Sequence, residues 1–417
     1  MDIVRSKYYG ILRGVTVGIS FFLQIGLMIF LAMYLMRYSI IAYFIFEVVS
    51  VITVFALVNN AESYKMSWIV IILVLPVSGL FLYFMWGRKR VNSSYFRRAR
   101  EIDARMVENL RQNEEIVQDL ERQHPNKVQI SRYLRKEGFP IYNNTHATYF
   151  GSGEKVLDAI LADLRQAKKF IFMEYFIVSD GIVWREILEV LTEKVKEGVE
   201  VKLLFDDFGT LRINTQAFRR DLKNRGIELS IFNPIHRDMA RMSFNYRNHK
   251  KITVVDGNIA YTGGFNLADE YANYVERFGH WKDTGVRIHG DAVFNFTLMF
   301  LEVWNAFKVP DLDYSIFRPR RWHEEPFEGD GYVAPYADTP LDNEALGENV
   351  YINILNQAKD YVYIATPYLL ISDEMENALC LAAKRGVDVR ILMPGIPDKP
   401  TVFFMAKSYY PPLLKAG

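Results

Sequence analysis

The chain has 417 residues, half of them hydrophobic, and a formal net charge of +1 at pH 7. This length is sufficient for two or three domains, and the near-neutral charge disfavours nucleic-acid binding, which normally requires a clear basic surplus. The single cysteine, Cys380, excludes an internal disulfide and any cysteine-rich metal site.

Three apolar runs occupy the N-terminal region, at residues 15–36, 39–58 and 66–86. Each is about twenty residues long, or roughly 30 Å as a helix, which matches the hydrocarbon core of a bilayer. Trp68 and Trp86 stand at the two ends of the third run, where amphipathic rings prefer the membrane interface. These features predict that residues 1–90 form a membrane region with two to three transmembrane helices.

The charges around these runs predict their orientation. A basic cluster directly follows the third run: Arg88, Lys89, Arg90, Arg97, Arg98 and Arg100. By the positive-inside rule, this cluster keeps the rest of the chain in the cytoplasm, which predicts a multi-pass protein of the cell membrane. Arg5, Lys7 and Arg13 precede the first run and favour the opposite orientation there, so the topology before Met66 stays open.

Residues 91–150 are predicted to link the membrane region to a globular part. Apolar residues recur at helical spacing among many charges between residues 94 and 123, as in an amphipathic helix. Asn143 and Asn144, and then Gly151 and Gly153, mark loops.

An internal repeat organises the remaining residues. The segment that begins AKKFIFMEYF at Ala167 is echoed by AKDYVYIATPY at Ala358, and both predict a strand, a helix, a glycine turn and a second strand. This order predicts an α/β fold with a first unit at residues 151–325 and a related second unit at 326–417. The second unit reaches Gly417 before any counterpart of the strand that carries His249, so we expect it to be incomplete.

The stretch NHKKITVVDGNIAYTGGFN holds the strongest chemical signal. Residues two apart in a strand face the same side, so His249 and Lys251 are predicted to project together while Lys250 points away. A neutral imidazole can attack a phosphodiester phosphorus, and the neighbouring ammonium can offset negative charge on its oxygens.

The residues after this strand predict a hairpin and a phosphate contact. Asp256 and Gly257 between β-branched residues are a strong hairpin signal, so Asp256 is predicted to support the turn rather than to contact substrate. Gly263 and Gly264 permit close backbone approach, and Asn266 could donate a hydrogen bond to phosphate.

This pattern resembles the HKD signature of the phospholipase D superfamily, through His249, Lys251, Asp256, Gly263, Gly264 and Asn266. The stretches EYFI, DDFG, HWKDTGVRIHG, TPYLL and LMPGIPDK are further similar to bacterial cardiolipin synthases. The resemblance implies a phospholipase D-like pair of mixed sheets flanked by helices, and it places Asp256 with His249 and Lys251 in the catalytic motif.

The resemblance also implies the reaction and its parts. A cardiolipin synthase joins two phosphatidylglycerols and releases glycerol, with one histidine as the nucleophile that becomes a phosphohistidine and a second histidine as the acid, and with no metal or cofactor. His249 would then be the nucleophile, while Lys251, Asn266 and Gly264 would contact the phosphate of the substrate.

The chain departs from that pattern because no second H-x-K-x-x-x-x-D motif occurs in it. His280 and Lys282 repeat H-x-K, but Arg287 stands at the aspartate position, and Trp281 and Asp283 predict a packed structural turn. We therefore predict a chain truncated before its second motif, with little or no turnover. Two chains that each supply His249 across a symmetric dimer interface are the alternative.

Three acidic residues remain open to interpretation. Glu174, in an apolar strand, either orients an active-site group or is a buried, paired structural acid. Asp206 and Asp207 are predicted to form a turn rather than to catalyse. The other histidines show no metal-ligand spacing.

Two other functions compete with cardiolipin synthesis. The same chemistry could hydrolyse the phospholipid or transfer its phosphatidyl group to another alcohol, and a chain without the second motif could instead be a non-catalytic membrane protein that binds anionic lipid. A nuclease is disfavoured because membrane anchoring and neutral charge suit lipid better than nucleic acid.

Overall fold

A computed structural model gives the fold of the chain. The residues that it describes are 22, 26, 29–30, 32–34, 36–37, 39–58, 63–74, 79–80, 82–84, 110–234, 247–308, 313–319, 327, 329, 331–338 and 344–417. Most of the apolar run 15–36, the whole basic cluster 88–100 and the first part of the predicted linker helix lie outside these residues.

Two N-terminal helices, α1 (Ile40–Val58) and α2 (Ser63–Val74), coincide with the second apolar run and the start of the third. Ile69 and Ile72 of α2 are buried against Val54 of α1 and against Tyr83. Within the described part of the chain, no helix combines the length and the hydropathy that a bilayer crossing requires. The predicted transmembrane helices are therefore not supported.

Two short helices, α3 (Glu114–Gln123) and α4 (Val128–Lys136), lead into the globular part. The Asn113 side chain caps α3 by accepting a hydrogen bond from the Glu115 N–H at 3.0 Å. Val117 and Leu120 of α3 pack on Val128 and Ile141, so the apolar stripe predicted for this helix faces a small core.

A seven-stranded sheet in the order β1-β7-β6-β5-β2-β3-β4 forms the centre of the predicted first unit and also takes in β1, which lies in the predicted linker before residue 151. Its strands are β1 (Thr145–Phe150), β2 (Phe170–Tyr175), β3 (Glu200–Asp206), β4 (Glu228–Phe232), β5 (Ile252–Val255), β6 (Ile259–Gly263) and β7 (Gly285–Gly290). Strands β2 and β3 are parallel, whereas β5 runs antiparallel to both β2 and β6. The sheet is therefore mixed, as the resemblance implied.

Helices cover both faces of this sheet: α5 (Gly153–Gln166), α6 (Ile182–Lys196), α7 (Gln216–Asn224) and α8 (Val293–Phe307). Phe172 of β2 stacks on Phe300 of α8 with their ring centroids 4.8 Å apart. Phe205 of β3 meets Trp184 of α6 at 5.8 Å. Every residue of β2 is buried, so the predicted α/β class is confirmed.

The second unit repeats the local plan with a two-stranded parallel sheet. Its elements are α9 (Leu346–Gln357), β8 (Tyr361–Ala365), α10 (Asp373–Lys384), β9 (Asp388–Leu392), α11 (Pro400–Ala406) and α12 (Tyr410–Ala416). Gly198 and Gly386 end the matched helices α6 and α10 with φ of +91° and +92°, a left-handed conformation that glycine adopts without strain. The similarity extends further than the strands, because α5 precedes β2 as α9 precedes β8.

Candidate active site

His249 lies in an extended segment directly before β5 rather than in the strand, which begins at Ile252. The predicted arrangement of side chains nevertheless occurs. The ammonium Nζ of Lys251 is 3.1 Å from the imidazole Nδ1 of His249 and also donates to the His249 carbonyl at 2.5 Å. The histidine and the cation are thus in direct contact.

Lys250 projects to the other side of this segment, as the two-residue period predicted. Its Nζ lies 3.1 Å from Oε1 of Glu174 and donates to the Met299 carbonyl at 3.2 Å. Glu174 is fully buried on β2. Glu174 is therefore a buried, paired acid that holds the backbone between His249 and Lys251.

Asp206 fixes the residues that precede His249 in the chain. Its fully buried carboxylate accepts the Asn248 N–H at 3.0 Å and lies 3.5 Å from the Arg247 guanidinium. The same carboxylate accepts the Phe208 N–H at 2.8 Å, which is the predicted turn role. Burial raises the pKa of Asp206, and the Arg247 charge opposes that shift.

The second contact of Asp206, to the segment before His249, could not be predicted from sequence because 42 positions separate Asp206 from Asn248.

The surroundings of His249 favour its neutral form. Partial desolvation beside the Phe176 ring, 4.7 Å away, and the positive charges of Lys251 and Lys399 lower the pKa of His249 to about 4, although part of its side chain stays exposed. Burial and Lys399 also lower the pKa of Lys251 to about 8, although Asp283 opposes this shift. At pH 7 the pair is therefore an uncharged imidazole beside an ammonium, the combination needed to attack a phosphodiester.

Asp256 supports the hairpin between β5 and β6. Asp256 and Gly257 have φ of +51° and +70°, as a type I′ turn requires. The carboxylate of Asp256 accepts the backbone N–H groups of Lys168, Lys169 and Phe170 at 2.8 to 2.9 Å. Asp256 thus fixes the start of β2 through these three backbone contacts.

Gly264 is constrained by packing rather than by an approaching phosphate. Its N–H donates to the Thr284 carbonyl at 3.1 Å, so this amide is already engaged. A Cβ at position 264 would lie 2.5 Å from Oδ1 of Asp283, which explains the need for glycine. The assignment of Gly264 to phosphate binding stays a prediction, and its N–H is already bonded to Thr284.

Asn266 is buried, and its side-chain oxygen accepts the Ile177 N–H at 3.0 Å. The side chain also hydrogen-bonds with Tyr271. The amide group is therefore held in one orientation by its neighbours. Its assignment to phosphate binding stays a prediction.

The second H-x-K sequence lies in an irregular segment before β7, in which Asp283 is buried whereas Lys282 is exposed. The indole N–H of Trp281 donates to Asp283 at 3.0 Å, and Arg287 pairs with Asp163 at 2.6 Å. His280 is exposed. Asp283, however, is buried, and its charge acts on Lys251. It is therefore part of the surroundings of the site, whereas the sequence indicated only a structural role for it.

The second unit also contributes residues near the site. Lys399 lies close enough to His249 and Lys251 for its charge to affect both. Its Nζ stands 4.5 Å from the ring centroid of Tyr368, whose hydroxyl hydrogen-bonds with Asp398. Sequence reasoning assigned no role to these residues. In the described part of the chain, no three acidic, histidine or cysteine residues cluster as metal ligands.

Comparison with known sequences identifies this arrangement. Residues 160–277 and 351–417 match the family described as "Cardiolipin synthase, PLD-like domain". Residues 48–88 match the family described as "Phospholipase D-nuclease N-terminal".

Two relatives illustrate the similarity over the whole chain. A Streptococcus mutans protein is 45% identical over 84% of this chain and 76% of its own length. "Cardiolipin synthase 2" of Bacillus cereus is 33% identical over 86% of this chain and 70% of its own length.

Among solved structures, phosphatidylserine synthase of Haemophilus influenzae Rd KW20 is 14% identical with a TM-score of 0.43, over 63% of this chain and 66% of its own. At that level of similarity we draw no functional conclusion from it.

Proposed function

This chain belongs to the cardiolipin synthase family of phospholipase D-like enzymes, and on that premise we propose that it transfers the phosphatidyl group of one phosphatidylglycerol to a hydroxyl of a second. The products are cardiolipin and glycerol. The contact that carries this proposal is the 3.1 Å approach of the Lys251 ammonium to the His249 imidazole. That contact combines a nucleophile that is neutral at pH 7 with a cation that can neutralise phosphate oxygens.

The reaction proceeds in two displacements at phosphorus. A nitrogen lone pair of His249 attacks the phosphodiester, a nitrogen–phosphorus bond forms, and the bond from phosphorus to the glycerol oxygen breaks. The departing oxygen takes a proton and leaves as glycerol. A hydroxyl of the second phosphatidylglycerol then attacks the phosphohistidine, loses its proton, and restores the free imidazole as cardiolipin forms.

The first displacement needs a proton donor because a glycerol alkoxide is a poor leaving group. General acid catalysis typically contributes about 10² to 10⁴ in rate. These 417 residues contain a single H-x-K-x-x-x-x-D motif, so we expect slow turnover when they are assayed alone. If a symmetric dimer supplies the donor from the partner's copy of the motif, activity per chain will rise with protein concentration.

The substrate is reached at the cell membrane. Ile40, Ile41 and Phe55 of α1 are 69% to 81% exposed, an unusual state for apolar side chains in water. This exposure supports the proposal that residues 1–90 attach the protein to the bilayer, and the basic cluster that follows them supports a cytoplasmic position for the catalytic residues. Protease protection of a C-terminal tag in right-side-out and inverted vesicles tests this orientation, and cleavage in right-side-out vesicles would contradict it.

An activated substrate tests the chemistry without the missing acid. Phosphatidyl-p-nitrophenol releases nitrophenolate, a stable anion that leaves without protonation. We expect a burst of one nitrophenolate per chain and an acid-labile phosphorus label on His249. Added phosphatidylglycerol should convert this label to cardiolipin. Absence of both burst and label from the folded chain would refute the proposed function.

Hydrolysis is the competing outcome at the same site. His249 is exposed, so water can reach a phosphohistidine formed there. Release of phosphatidic acid from the labelled chain, in preference to cardiolipin at saturating phosphatidylglycerol, would favour a phospholipase D activity instead.

A further inference from the structure

We propose that Lys399 of the second unit is a substrate-binding residue of the His249 site, where it and Lys251 form a pair of cations that hold the phosphodiester. The inference rests on the proposed function for the identity of the substrate. It adds that the site is built by both units, with the nucleophile from one and a phosphate-binding cation from the other.

The loop that carries Lys399 approaches the first unit at Gly279. The Cδ1 atom of Ile396 lies 3.3 Å from the position that a Cβ on Gly279 would occupy. Gly279 belongs to the loop that continues to Trp281, whose indole N–H donates to Asp283 at 3.0 Å. Asp283 in turn lies against Gly264, after β6. Close contacts thus connect the Lys399 loop to the residues around His249.

Lys399 contacts an aromatic ring of its own unit. Its Nζ lies 4.5 Å from the ring centroid of Tyr368, within the range of a cation–π interaction. The Tyr368 hydroxyl is hydrogen-bonded with Asp398, the residue just before Lys399. Lys399 itself is exposed, so its ammonium remains accessible to a ligand while its orientation is restricted.

The charges around the site suit a single phosphodiester. Lys251 and Lys399 both act on His249, and Asp283 is the carboxylate that acts on Lys251. The opposite side of the segment is already neutralised, because Lys250 pairs with Glu174. Two cations therefore act at the nucleophile, and negative charge that gathers on the phosphate oxygens during attack is stabilised by both.

The test compares Lys399→Gln with Lys407→Gln. Lys407 is a matched control because it is an exposed lysine of the same unit whose Nζ stands 5.3 Å from an aromatic ring, that of Phe403. The burst of nitrophenolate from phosphatidyl-p-nitrophenol in mixed micelles is measured for each chain at several substrate concentrations and from pH 3 to 9.

We expect Lys399→Gln to lower the burst efficiency by about 10- to 100-fold, the range for loss of one charge-assisted contact. Loss of the Lys399 charge should also raise the pKa of His249, so the acidic limb of the profile should move to higher pH. Lys399→Arg should retain most of the efficiency, and Lys407→Gln should match the unsubstituted chain in both respects.

The outcomes separate this inference from the proposed function. If the unsubstituted chain gives no burst, the proposed function fails, whatever Lys399 does. A burst that is unchanged in Lys399→Gln overturns the inference alone. A loss of burst efficiency without movement of the acidic limb would assign Lys399 a structural role, and this result would also overturn the inference.

Discussion

The two units of the repeat place the same side-chain pattern in opposite environments. Phe172 on β2 corresponds to Tyr363 on β8, and each ring lies under a cation of the neighbouring strand. Lys202 Nζ is 5.3 Å from the Phe172 ring, and the Arg390 guanidinium is 5.1 Å from the Tyr363 ring. Phe172 is fully buried, however, whereas Tyr363 is 55% exposed.

The acidic partners of Lys202 and Arg390 also stand at matched positions, and the two ion pairs differ in exposure. Lys202 pairs with Glu200 at 2.8 Å, and Arg390 pairs with the corresponding Asp388 at 2.9 Å. The Lys202 side chain is 7% exposed and the Arg390 side chain 65%. In the first sheet this face is covered by α8, through Phe300 and Trp304.

The comparison shows the same strand–helix–strand arrangement in both copies, although the outer face is buried in one and exposed in the other. Residues in both units form parallel strand pairs with the same glycine turn, although their burial differs. Function divides along the same line. In the proposed function the first unit supplies the nucleophile from a segment beside its buried sheet, and in the further inference the second unit supplies the cation of Lys399.

The largest expected effect is the loss of the nitrophenolate burst when His249 is removed, which tests whether the nucleophile lies in the first unit. His249→Ala should lower the nitrophenolate burst by at least about a thousandfold, because the proposed covalent intermediate forms on His249. His280→Ala is the matched control, since His280 lies in the other H-x-K sequence and is exposed. The burst of His280→Ala should stay within about twofold of that of the unsubstituted chain, as expected for a residue outside the site. A comparable loss in both variants would contradict the assignment.

The second-largest expected effect is on the free energy of unfolding, and it measures how much the packing of α8 on the first sheet contributes to stability. Phe172→Ala should reduce the free energy of unfolding by about 3 to 5 kcal/mol, because it leaves a cavity in a close-packed core. Tyr363→Ala, at the matched position, should cost about 1 kcal/mol or less, as for other exposed residues. Denaturant unfolding followed by circular dichroism checks both values. Equal losses would show that the second sheet is also covered in solution.

Sequence patterns predicted the parts of this fold that depend on neighbours in the chain. The Asp256–Gly257 hairpin, the glycine turns at Gly198 and Gly386, and the opposite directions of Lys250 and Lys251 all follow from local geometry. The start of β5 was predicted too early because the segment before Ile252 is held by long-range contacts rather than by strand pairing. Periodicity carries no information about such contacts.

The rest of the site could not be predicted for the same reason. Asp283 and Lys399 come near His249 and Lys251 only through folding, and each resembles a turn or surface residue in sequence. Gly264 matched the motif, yet its amide binds the Thr284 carbonyl.

The third effect is the pH dependence that both units create together. Efficiency should rise as pH increases through about 4, because His249 must lose its proton to attack. It should fall as pH increases through about 8, because Lys251 then loses the charge that binds phosphate. At pH 9 we expect about a tenfold loss relative to pH 7. Burst rates at subsaturating substrate measure both limbs, and an acidic limb near the ordinary histidine value would contradict the proposed environment of His249.

The smallest expected effect is a shift of the alkaline limb when the carboxylate of Asp283, which raises the pKa of Lys251, is removed. Asp283 raises the pKa of Lys251, so Asp283→Asn should lower that pKa and move the alkaline limb to lower pH by less than about one unit. Asparagine keeps the shape of the side chain and an acceptor for the Thr284 N–H, which Asp283 binds at 2.7 Å. Asp388→Asn makes the same charge change on β9 of the second unit, where the carboxylate pairs with Arg390, and should leave the limb in place. An equal shift in both variants would mean that overall charge, rather than the position of Asp283 beside Lys251, sets the alkaline limb.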